Sequence, residues 1–139
     1  ATLQQTMAFN ATPNGEGGGI WQSGGGLAAD AAGNIYIATG NGSFTANLGG
    51  NNYAMSFVKL SPAGSVLGSF TPFNQSTSSA NNLDLGAGGV VLLPDQAAAH
   101  PHLLVFFLAW KAHFPVTISP LTDHPGQFPR YGYQSNHLG

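Results

Sequence analysis

Carboxylates, imidazoles and amides are the groups in this chain that could do chemistry, and their spacing suggests three kinds of site. Cleavage of a glycosidic bond needs two carboxyl groups, one protonating the leaving oxygen and one activating water or attacking the sugar. Of Glu16, Asp30, Asp84, Asp95 and Asp123, the pair Asp84 and Asp95 fits best, because both lie in turn-rich segments beside expected strand ends. The simpler role for Asp84, set beside glycines in NNLDLGAGG, is to accept hydrogen bonds from the backbone of its own turn. His100 and His102 flank Pro101, and in an extended segment residues two apart share a face, which is a spacing that zinc accepts. His113 is the expected third ligand, with His124 or an aspartate as substitutes. The third set is neutral: Asn41, Asn47, Asn51 and Asn52 offer amides to a polar ligand such as a carbohydrate, with Tyr53 available for stacking. Turn geometry explains the same asparagines, which tolerate left-handed backbone.

Other chemistry is excluded more firmly. The chain has no cysteine, so disulfides, thiolate ligands and a cysteine nucleophile are absent. No serine sits in a GxSxG turn, and there is no HExxH, calcium loop or Gly-rich lysine motif. The triple glycine at 24–26 leads into no helix signature, so it does not read as a phosphate cradle. No cofactor is implied. Three basic residues, Lys59, Lys111 and Arg130, cannot form the cationic stripe that nucleic acid requires. The longest apolar run, LLVFFLAW at 103–110, is too short for a membrane span of about twenty residues. The opening ATLQQTMAFN lacks the basic-then-apolar order of a signal peptide, so an export segment is expected to be absent or already removed. Asn-x-Ser/Thr triplets begin at Asn10, Asn41 and Asn74; they matter only in a host that glycosylates secreted proteins.

The elements that must position these groups are short strands. The chain of 139 residues has room for one domain. Charged residues are 6% of it and glycines number 20, so its surface must be neutral and polar and offers little electrostatic protection against self-association. Residues 20–70 alternate short apolar runs with Gly/Asn turns, as an antiparallel meander does. Strands are expected at 35–39, 56–60, 65–70 and 90–93, with weaker ones at 6–9, 20–22 and 114–120. DAAGN at 30–34 and SPAG at 61–64 are the reversing turns. Ile35 and Ile37 should share one face of their strand with Tyr36 on the other; Lys59 should be solvated and Trp21 buried as a core anchor rather than displayed as a sugar platform. Residues 71–89 look too polar and interrupted for a helix.

The run GGGLAADAAGNIYIATGNGSFTANLGGNNYAMSFVKLSPAG, continued by FTPFNQSTSSANNLDLGAGGVVLLPD and HPHLLV, resembles bacterial PQQ-like repeat β-propeller proteins over residues 20–105. The resemblance implies four-stranded blades arranged radially, with strands at 27–30, 35–39, 56–60 and 65–70 in one blade and 90–93 and 103–105 beginning the next, in proteins often exported or periplasmic and used as scaffolds or alongside quinone enzymes. Little more than one blade is covered, whereas a closed propeller needs at least about four. After Val105 the family pattern expects a Gly-rich turn, but FFLAWKAHFPVTISP follows, as though a truncated gene continued in a shifted frame. The expectation is therefore a single all-β domain: an irregular segment at 1–19, a propeller-like region at 20–105 and a divergent aromatic and proline-rich tail at 106–139. It would act as a structural or binding module completed by self-association, with a small glycoside hydrolase as the alternative.

Overall fold

A computed structural model describes residues 3–22 and 25–94 in full, together with the backbone of two later strands, Leu103–Phe107 and Ser119–Pro120. Four strands, β1 (Ala28–Ala29), β2 (Ile35–Ala38), β3 (Phe57–Leu60) and β4 (Val66–Phe70), form one antiparallel sheet in chain order. Three more, β5 (Gly89–Leu92), β6 (Leu103–Phe107) and β7 (Ser119–Pro120), form a second antiparallel sheet. Register runs Ala38↔Phe57↔Phe70 across the first sheet. It shifts between Lys59 and Leu60, where Leu60 pairs with Val66 although Lys59 pairs with Gly68.

The turns form where the sequence supplies their chemistry. Between β1 and β2 the Asp30 carboxylate accepts four hydrogen bonds: from the backbone N–H of Ala32 (3.0 Å) and Asn34 (2.9 Å), the Asn34 amide (2.8 Å) and the Tyr36 phenol (2.9 Å). Gly33, at φ 81°, takes the left-handed position that closes the turn onto the Asp30 carbonyl. Burial pushes the Asp30 pKa up, but the hydrogen bonds from Asn34, Tyr36 and Ala32 favour the carboxylate more and hold it at about 2, below its ordinary 3.8. Between β3 and β4, Gly64 N–H closes on the Ser61 carbonyl at 2.9 Å.

The first sheet is buried on both faces, so its strands alternate between two cores rather than between core and water. On one face Tyr36, Ala38, Met55, Phe57 and Leu85 pack with Val90 of the second sheet, flanked by Ala28, Phe70 and Leu92. The Phe57 and Phe70 rings stack at 6.3 Å with 13° between their planes. On the other face Ile37, Val58 and Leu60 pack with Phe9, Ile35, Tyr53 and Val66. The expected split of Ile35 and Ile37 from Tyr36 is what separates the two clusters. Each large side chain buried this way contributes roughly 1.5–3 kcal/mol.

Four expectations do not hold. Lys59 is buried, not solvated: the second sheet covers its face, and its Nζ lies 5.8 Å from the centroid of Tyr36, directly across the register. Trp21 is 69% exposed and is not a core anchor. Residues 71–88 contain an α-helix, α1 (Gln75–Ala80), and a 3₁₀ turn at Leu85–Ala87. A helix this short is held at its C-terminal end, where the Asn81 backbone and side-chain amides reach the Thr77 carbonyl, and by buried Ser78, not by propensity, which is why composition missed it. Segments 6–9 and 20–22 are not strands; Phe9 instead packs directly onto the first sheet. Strand β6 runs on past Val105 to Phe107, across the point where the family-like pattern stops.

Candidate functional site

β2 ends, β3 begins and β4 ends at the same edge of the first sheet, so the segments 39–56 and 71–88 must emerge together there. Residues 10–22 join them through the backbone. Gly40 N–H donates to the Gly19 carbonyl (2.8 Å), Gly18 N–H to Asn41 (2.6 Å), Ser43 N–H to Glu16 (2.8 Å) and Gln22 N–H to Gly86 (3.0 Å). Three loops thus form one platform of main chain, and Glu16 and Asp84 are the only charged side chains in those three segments.

The amides expected to recognise a ligand are unequally committed. Asn52 is buried; its Oδ1 accepts from Asn14 N–H at 3.1 Å, and its carbonyl accepts from Thr45 and Ala46. Asn51 is exposed and accepts from the Asn14 amide at 2.8 Å. Asn41 donates to Asn82 Oδ1 at 2.6 Å, while its own Oδ1 is buried and without a partner among the described residues. Asn47 lies exposed in the 3₁₀ turn Ala46–Leu48. Tyr53 packs against the Ile37 cluster, and its carbonyl accepts from the Thr39 hydroxyl. The loops therefore bring Asn51 and Asn52 together through Asn14, bring Asn41 to Asn82, and place the Tyr53 ring against the core.

Asp84 does what a lone aspartate beside glycines should. It sits at the start of the Leu85–Ala87 turn and accepts from Gly86 N–H at 2.9 Å. Its carboxylate lies against Gly40, where a Cβ would come within 2.4 Å of Oδ1. Asp95, its expected catalytic partner, lies outside the described residues, as do His100, His102 and His113. Among the described residues no group of three His, Cys, Asp or Glu side chains could hold a metal ion, and no helix is long and apolar enough to cross a membrane.

No family model, curated protein or solved structure matches the chain. What can be said of its site comes from the platform alone, which includes residues that sequence reasoning passed over. Gln22 is 5% exposed, holds φ at 40°, and has neither amide atom hydrogen-bonded among the described residues. A positive φ at a non-glycine residue and an unpartnered buried amide each cost about 1–3 kcal/mol, and such costs concentrate where a protein binds something. Asn14 and Asn82 were equally silent in the sequence. Their turn settings, PNG and ANNL, announce bends but not which amide they will meet across the fold. Among the Asn-x-Ser/Thr triplets, the Asn41 amide is already engaged by Asn82, and the Thr12 hydroxyl is turned inward onto the Gly17 carbonyl at 2.8 Å.

Proposed function

We propose that this chain is a structural or binding module related to a β-propeller blade, and that its three-loop end recognises a neutral polar ligand of the carbohydrate class. The observation that carries the reading is the pairing of amides across separate loops, Asn14 with Asn51 and Asn41 with Asn82, on a surface nearly devoid of charge. Amides offer a donor and an acceptor side by side, as hydroxyl recognition requires, and a paired amide is already oriented before a ligand arrives. The blade-like identity is supported by the four-stranded meander buried on both faces, since blades of a propeller cover one another's faces.

Completion by a second copy is supported by the outer edge of β4, which no other strand pairs among the described residues and on which Leu67 stands exposed. Calorimetric titration with neutral oligosaccharides, paired with sedimentation velocity over a range of protein concentrations, tests both parts. Saturable binding and a concentration-dependent dimer are expected. Absence of binding to any oligosaccharide would refute the recognition reading, and a single copy at every concentration would refute the assembly reading. Cleavage of a bound oligosaccharide, abolished by Asp84→Asn, would favour the hydrolase alternative instead.

A further inference from the structure

We propose that Trp21 is a stacking platform for a neutral pyranose ring, with Asp84 and the Asn41–Asn82 amide pair on the adjoining loops serving its hydroxyls. The proposal deepens the recognition reading above and rests on it.

An exposed tryptophan is costly to keep in a chain with a small core, because indole burial is among the largest single contributions a side chain makes. Yet Trp21 is not a loose surface group. Its indole lies against the main chain at Gly19, where a Cβ would fall 2.8 Å from Nε1 and 3.2 Å from Cε2, so any other residue at 19 would displace the ring. The backbone on both sides of Trp21 is tied to other loops. The Gly19 carbonyl accepts from Gly40, Gln22 N–H donates to Gly86, and the Gln22 carbonyl accepts from Gly25 at 2.8 Å. The backbone that carries the indole is thus fixed in advance, which lowers the ordering cost of binding.

Polar groups converge on the same junction. Gly40, bonded to Gly19, touches the Asp84 carboxylate, whose Oδ1 is engaged by Gly86 N–H and whose Oδ2 has no hydrogen-bond partner among the described residues. The next residue, Asn41, holds Asn82, and Asn82 is exposed. A pyranose presents an apolar C–H face and a rim of hydroxyls, and an indole against Gly19, with a carboxylate oxygen and amides on the segment bonded to Gly19 through Gly40, offers groups for both. With Asp84 and Glu16 the only charges in the three loops, an anionic sugar is disfavoured and a neutral one is specified.

Maltotetraose, cellotetraose and chitotetraose titrated by calorimetry into the full chain provide the test. At least one should bind. Trp21→Ala should weaken that binding at least about tenfold, since loss of a stacked aromatic removes its whole contact area, while Trp21→Phe should keep it within a few-fold. Asn82→Gly, which accepts the φ of 54° at that position, should also weaken binding. Binding that Trp21→Ala leaves unchanged would overturn this proposal and leave the wider recognition reading standing; failure of all three sugars to bind would overturn both. A sugar-free, concentration-dependent blue shift of tryptophan emission that Trp21→Ala abolishes would show that a second copy covers the indole, and would also overturn it.

Discussion

Replacing Asp30 with asparagine should flatten the acid limb of the stability curve. In the folded chain the Asp30 carboxyl titrates at about 2, against an ordinary 3.8 for the unfolded chain. A depressed carboxylate pKa stabilises the fold above the unfolded value, and that stability is lost as pH falls from about 4 towards the folded pKa near 2. Fully realised, the difference corresponds to roughly 2.5 kcal/mol at 1.36 kcal/mol per pKa unit, but the turn is half-exposed and solvent screening reduces it to about 1 kcal/mol. Asparagine can still accept from Ala32 or Tyr36 but carries no charge, so it abolishes this dependence while keeping much of the turn. Alanine removes all four acceptor contacts, the one from the Tyr36 phenol included, so Asp30→Ala should cost more, about 2–4 kcal/mol. Urea unfolding followed by circular dichroism at half-unit steps from pH 6 to pH 2 gives the comparison. Parallel curves for wild type and Asp30→Asn across the whole range would refute the assignment of acid sensitivity to this turn.

Two further substitutions probe the loop end. Thr39→Val preserves shape but removes the buried hydroxyl that accepts from Ser56 N–H at 2.9 Å and donates to the Tyr53 carbonyl. It should lower the urea-unfolding free energy by about 1–3 kcal/mol, and a neutral result would mean that the backbone there finds other partners. Gln22→Met replaces two buried polar atoms that have no hydrogen-bond partner among the described residues with a chain of similar volume, and should stabilise the fold by about 1–2 kcal/mol, read as an upward shift in thermal midpoint. Destabilisation would show that the Gln22 amide is hydrogen-bonded after all.

Much of the local structure was legible in the residues themselves. IYIA and FVKL alternate between two faces, DAAGN and SPAG carry the side-chain and left-handed positions their turns need, and Asp84 beside glycines had the chemistry of a cap. These are short-range properties, decided within a few residues by sterics and by side-chain hydrogen bonds to the adjacent backbone. Whether a strand face meets water or another sheet is not short-range. Lys59 occupies a position that alternation alone would give to solvent, but Val90 and Leu92 of the second sheet pack on that face with Tyr36, and the Lys59 ammonium lies over the Tyr36 ring. Trp21 shows the converse: burial preference would send it inward, but on a backbone tied at Gly19 and Gln22 its ring lies exposed against the Gly19 main chain. The amide pairs depend on contacts 37 and 41 residues apart in the chain, Asn14 to Asn51 and Asn41 to Asn82. A sequence rich in asparagine and glycine determined that there would be a polar end to this sheet; only the convergence of three loops decided which amides face each other and which aromatic ring stands beside them.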